Sequence, residues 1–182
     1  MAILASSFIA LCSHICTDLP TVYMQHSFGC PVTNALLHEK QHKYPSYYTP
    51  ARMNYFRTHV GKGFWGFDAP GLIKGVLWGW TEDISKPNGG AVVGSNNVPD
   101  VGADSLFSRC TDISSDWTNL LPGEAVWNKG HIGVYLGEKK VAECSASWKN
   151  KCQISTISNL GALAGFNTRA WTKHGQLPSV TY

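Results

Sequence analysis

Gly130-His131-Ile132-Gly133-Val134-Tyr135-Leu136-Gly137-Glu138-Lys139-Lys140-Val141-Ala142-Glu143-Cys144-Ser145 reads as two strands folded back on each other. Short, often alternating apolar runs lie on either side of Gly137 to Lys139, where a glycine followed by charged residues marks a turn. Working outward, Glu124 to Asn128 precedes this pair, and Cys152 to Ile157 and Phe166 to Thr172 follow it, all with strand texture. Before Pro122-Gly123 the texture is different. Ile3, Leu4, Phe8, Ile9, Leu11, Cys12 and Ile15 recur at three-and-four spacing and predict a buried helix to about Cys16. Thr33 is placed to cap a short helix through Gln41, and Ala51 to His59 is a further helical stretch. Leu72, Ile73, Val76, Leu77 and Trp80 keep helical period after a cap at Asp68, and Gly102 to Cys110 suits one short helix. Tyr23 to Gly29, Tyr44 to Pro50 and the breaker-rich Ser85 to Asp100 read as loops. Helices first and strands afterwards predict an α+β fold, with N-terminal helices packed on an antiparallel β-sheet or small barrel.

The chain's 182 residues, 43% hydrophobic and 15% charged, suffice for one domain spanning 1–182 with its own core. No linker, repeat or low-complexity segment divides it. Sparse charge, 18 Gly and seven Trp exclude a disordered chain and a coiled coil. A formal net charge of +3 is too small to point to nucleic acid, though it suits an anionic polymer. No apolar run reaches the roughly 18 residues of a membrane span. Met1 to Leu11 lacks the basic start and small-residue cleavage site of a secretory leader, so it reads as part of the first helix. The six Cys, at positions 12, 16, 30, 110, 144 and 152, lack paired C-x-x-C spacing, so a metal is not expected. Mostly free, buried thiols are expected, with Cys144 and Cys152 able to face each other across a hairpin.

Three segments carry chemistry. Phe67-Asp68-Ala69-Pro70-Gly71-Leu72-Ile73 starts a helix, Gly130 to Gly137 is the first strand quoted above, and Val141-Ala142-Glu143 lies on the second. In this order they resemble the NlpC family of papain-like cell-wall cysteine peptidases, over nearly the whole chain. That family carries its nucleophile in Asp-Cys-Ser-Gly-Leu, its base in Gly-His-Val-Gly-Ile-Tyr-Leu-Gly and a third polar residue on the next strand. The resemblance implies a papain-like fold and a peptidoglycan hydrolase, a cysteine endopeptidase cutting the stem peptide between D-Glu and the diamino acid. It also implies a secreted or cell-surface monomer whose partners are stem peptides, with no metal or organic cofactor. An N-acetylmuramoyl-L-alanine amidase and a non-catalytic wall-binding pseudoenzyme are the alternatives.

The departure is at the decisive position, where Ala69 stands in place of the nucleophilic Cys. As written, the chain is expected to be catalytically dead. Retention of His131 and Glu143 points to a deliberate Cys→Ala substitution, since a lineage without its nucleophile is free to lose both. Pro70, where the family usually has Ser, fits the first turn of a helix. A helix N-terminus and a neighbouring His⁺ lower a thiol's pKa from about 8.5 to between about 3.5 and 7.5. His131 then serves as general base and acid, and Glu143 holds the other ring nitrogen. With a turn at Gly137 to Lys139, residues 131 and 143 are equidistant from position 137, which predicts direct pairing across the hairpin on one face. Tyr23, in a loose Pro-Tyr-x-x-Gly segment, is the expected oxyanion donor beside the backbone N–H of residue 69. Asp68, Gly71, Gly130 and Trp148 are expected at the substrate site, and the insertion containing Tyr44 to Pro50 is expected to wall the groove. His14, His26, His38, His42, His59 and His174 are read as structural.

Overall fold

The computed structural model of the chain describes residues 2–182; Met1, at the head of the apolar N-terminal stretch, lies outside them. Strand β1 (Ile3–Leu4) leads into helix α1 (Ala5–Thr17), which buries Phe8, Cys12, Ile15 and Cys16, as the three-and-four spacing requires. Strands β2 (Thr21–Tyr23) and β3 (Phe28–Pro31) follow. Helix α2 (Asn34–Lys43) is capped by Thr33, whose Oγ1 accepts the Leu36 N–H at 3.1 Å. Thr49 caps α3 (Pro50–Arg57), with Pro50 in the first turn, where a missing N–H costs nothing. Strand β4 (Trp65–Phe67) and helix α4 (Ala69–Leu77) come next. After α5 (Ala103–Phe107) the chain forms β5 (Thr111–Ser114), β6 (Ala125–Asn128), β7 (His131–Gly137) and β8 (Lys140–Ser145). It ends with β9 (Lys151–Ile157), β10 (Thr168–Arg169), β11 (Lys173–Gln176) and β12 (Val180–Thr181).

The architecture is mixed α+β. Seven strands form a curled sheet in the order β10-β9-β8-β7-β6-β11-β5, antiparallel except where β10 runs parallel to β9. The clean division into helices and then strands needs correction. Within the helical half β2, β4 and β3 make a separate three-stranded sheet, with β2 parallel to β4, and β1 pairs in parallel with β12. Strands of two to four residues are too short to display alternation, and Thr21–Tyr23 and Trp65–Phe67 are buried by long-range partners that local sequence does not reveal.

Helix α4 is set against this small sheet by close backbone approach. A Cβ on Gly71 would stand 1.9 Å from the Ser27 carbonyl oxygen, and one on Gly75 2.5 Å from that of Phe28. Only glycine lets the helix lie so near. Its other side buries Leu72, Ile73, Val76 and Leu77, each worth roughly 1.5–3 kcal/mol of transfer free energy. They join Phe8 and Ile15 of α1 and Ile132, Val134 and Ala142 of the large sheet in one core. α4 therefore packs on β7 and β8, the strands that bear His131 and Glu143. A second core, with Val22, Met24, Leu37, Tyr48, Met53 and Phe56, joins α2 and α3 to the small sheet. All six cysteines are free and buried, and Cys144 lies directly opposite Cys152. No helix among the described residues is long and apolar enough to cross a membrane.

Candidate active site

Residue 69 owes its place to Asp68. The extended backbone of Asp68 turns its side chain back onto the helix start, where Oδ1 accepts the Gly71 N–H at 2.6 Å. Oδ2 accepts the N–H of His26, also at 2.6 Å, so one carboxylate fixes both the helix and the loop that faces it. Pro70 follows in the first turn. Ala69 lines a cleft of about 470 Å³ together with Tyr23, His26, Tyr44, Asp68 and Gly130. Tyr23 reaches it because β2 runs alongside β4, with Tyr23 opposite Phe67. Burial, and then the charge of Asp68, hold the Tyr23 hydroxyl far above the ordinary tyrosine range, so it stays protonated and able to donate. Tyr44, from the insertion, forms part of the cleft wall.

Gly130, with φ of +79°, turns the chain into β7 immediately before His131. The turn is clamped by Asp104 at the start of α5, whose Oδ1 accepts from the Gly130 N–H at 2.6 Å and from Trp127 Nε1 at 2.8 Å. His131 Nε2 meets Glu143 Oε2 at 2.7 Å, with Glu143 fully buried. Nδ1 is thus the ring nitrogen that does not face Glu143. The direct pairing of these two residues across the hairpin is corrected by the register. Glu138 and Lys139, both with positive φ, make the turn, and a bulge between Tyr135 and Gly137 leaves Val134 opposite Ala142. Counting outward, Glu143 faces Gly133, and Ser145 faces His131. The displacement is two residues, which preserves the face, so the contact survives as a diagonal one. Gly133 keeps this face open, since a Cβ there would stand 2.8 Å from Val141 Cγ1, 3.0 Å from the Ala142 carbonyl oxygen and 3.2 Å from the Trp171 ring that stacks on His131.

Glu143 is held by more than His131. Ser155 Oγ donates to Oε1 at 2.5 Å, and Arg169 Nε donates to Oε2 at 3.0 Å and to Oε1 at 3.3 Å. Burial alone would push its carboxyl up. The hydrogen bond and charge of His131, with Ser155 and Arg169, outweigh it and hold the group below the ordinary carboxylate range. Asp104, Ser155, Arg169 and Trp171 escaped the sequence reading; Arg169 and Trp171 stand two apart in a run with strand texture, the spacing that puts both on one face. Trp148 is exposed and stands over the Arg169 guanidinium, 4.7 Å from its ring centroid. Gly71 is buried against Ser27 and serves the packing of α4.

Asp68 titrates in the opposite sense from Glu143. Burial raises it to about 6, against the pull of Lys74 and of the Gly71 and His26 N–H groups. The folded state therefore binds the proton more tightly than the unfolded chain, and stability falls as pH rises from 3.8 through about 6. Glu143, held below its ordinary 4.5, contributes stability above that value and loses it as pH falls. Comparison with Asp68→Asn isolates the first term. Urea unfolding from about pH 4 to pH 7 is expected to cost the parent about 3 kcal/mol more than the variant. Parallel pH curves for the two proteins would show that Asp68 ionises freely in the fold.

Among the described residues no group of three or more His, Cys, Asp or Glu is placed to hold a metal ion. No protein-family model matches the chain, and no curated protein matches it.

Proposed function

We propose that the chain is the scaffold of a papain-like cysteine peptidase of the NlpC type, acting on amide bonds of peptidoglycan stem peptides when Cys stands at position 69. The observation that carries this is a capped helix, α4, packed on β7, the strand whose first residue belongs to a histidine–carboxylate pair. Ala69 shares its cleft with Gly130, and the next residue is His131, bonded through Nε2 to Glu143. A thiol at position 69 would sit where the helix dipole favours its thiolate. The thiolate adds to the amide carbonyl, the imidazolium of His131 protonates the leaving amine, and water then hydrolyses the thioester with His131 as base. Tyr23, which lines the same cleft as residue 69, and the residue 69 N–H would donate to the oxyanion. Ala at 69 has no nucleophile, so the present chain is expected to bind without turning over.

Incubation of Ala69→Cys with purified muropeptides, followed by mass spectrometry, tests the proposal. New free amines on the third stem residue are the expected product, with EDTA without effect. Release of the whole peptide from muramic acid would indicate an amidase instead. No product of either kind would leave a wall-binding module as the function of this fold.

A further inference from the structure

The cleft beside residue 69 adjoins a second cavity of about 370 Å³, and the stacked rings of His26 and Tyr44, with centroids 3.9 Å apart, border both. His26, Tyr44, Lys74 and Asp100 line both. Three lysines face the second cavity, and they differ in how their charge is met. Lys74 is buried but paired, with Nζ 2.5 Å from Asp100 Oδ1 and 3.0 Å from the Val101 carbonyl. Lys43 has its ammonium 5.5 Å from the Tyr44 ring centroid. Lys40 is only 6% exposed, donates to the His26 carbonyl, has its ammonium 5.8 Å from the centroid of the same Tyr44 ring, and forms no ion pair with any carboxylate among the described residues. Glu39 also lines the cavity and is not paired with it.

A buried ammonium has three donors, and one carbonyl and a ring face do not match the charge as a carboxylate does. That leaves donors an anion in the cavity would take up. We propose that the cavity is an anion subsite in which Lys40, seconded by Lys43, takes a carboxylate of the substrate peptide, away from the bond cut over position 69. The inference rests on the peptidase reading and adds the carboxylate requirement to it. His26 ties the subsite to the cleft. Held at φ of +59°, it gives its N–H to Asp68 and its carbonyl to Lys40, so the helix start and the ammonium are positioned by one residue. A peptide anchored at Lys40 has a fixed reach to position 69, which makes the subsite a device for choosing which amide is presented.

The protein as it stands, with Ala69, can be titrated calorimetrically with the stem tetrapeptide L-Ala-γ-D-Glu-meso-diaminopimelate-D-Ala and with versions in which each free carboxylate is amidated in turn. One amidated version is expected to bind at least about tenfold more weakly. Lys40→Gln, which can still donate to the His26 carbonyl, should weaken the free acid by a similar factor and leave that amide unchanged, while Lys40→Arg should retain the discrimination. Binding of all versions within about twofold overturns the subsite, and that arm needs no variant to fold. So does a Lys40→Gln protein that weakens acid and amide alike. Glutarate alone, followed through the Lys40 Nζ resonance, separates this from failure of the peptidase reading. A saturable shift without tetrapeptide binding supports the anion site and overturns the peptide as its source; no shift and no effect of amidation overturns the site itself.

Discussion

In the Ala69→Cys protein, Glu143→Ala is expected to lower kcat/KM by about 10²- to 10⁴-fold, the loss that follows when a catalytic imidazole loses its orienting partner. The size follows from how completely the contact is built. Glu143 is fully buried, its Oε2 is 2.7 Å from His131 Nε2, and Ser155 and Arg169 fix the carboxylate from the other side. Without it, the Trp171 stack alone leaves His131 free to slide in the plane of the two rings. Glu143→Gln is expected to lose less. Its amide nitrogen can face Ser155, whose hydroxyl can turn to accept, while its oxygen keeps the bond from His131. The charge facing the ring is gone, however, so part of the loss in kcat/KM should remain. Unchanged rates in both variants would return Glu143 to the role of a buried packing group.

His174→Ala is expected to destabilise the fold by about 3–5 kcal/mol, because it strands a buried carboxylate. His174 Nδ1 lies 2.5 Å from Glu124 Oε2 and Nε2 lies 3.0 Å from the Asp116 carbonyl, with both side chains all but fully buried. Nε2 must donate, since a carbonyl only accepts, and the proton at Nδ1 is held within the pair with Glu124. The pair closes the far side of the large sheet, where β11 lies between β6 and β5. After the substitution the Glu124 side chain keeps, among the described residues, only the Leu121 N–H, at 3.3 Å. Glu124→Gln offers an amide N–H that can donate to the bare Nδ1 of neutral His174 and should cost far less. Thermal melts should show a fall on the order of 10 °C for His174→Ala. A loss below about 1 kcal/mol, or equal losses for the two variants, would mean that water or a neighbour replaces the pair.

The site was legible in sequence where its chemistry depends on neighbours along the chain. Asp68 as a cap needs only the residues that follow it, and a strand–turn–strand run with His131 and Glu143 at even separation from each other puts both on one face under any even displacement of register. The register itself was misread. The turn occupies Glu138 and Lys139, and the bulge before Gly137 is set by how β7 and β8 meet, which the residues between them do not specify. Arg169 and Ser155 lie far from Glu143 in sequence, and nothing local distinguishes them from ordinary strand residues. The three-stranded sheet was invisible for a related reason. Its strands have too few residues for periodicity, and their burial comes from α2, α3 and α4.

By itself the sequence determined the main helices of the first half, strands β6 to β9 of the second, the helix start at Asp68 and the sharing of one face by His131 and Glu143. These follow from capping, from 3.6- and 2-residue periodicity and from side chains sharing a face, all of them short-range physics. Tertiary structure alone decided that Gly71 and Gly75 let α4 press on the backbone of residues 27 and 28, that Gly133 leaves room for Val141 and Trp171, and that Lys40 is buried with no ion pair among the described residues. Each is a matter of what arrives from elsewhere in the chain. Close packing and the desolvation of charge act through space, and both depend on neighbours that only the completed fold supplies.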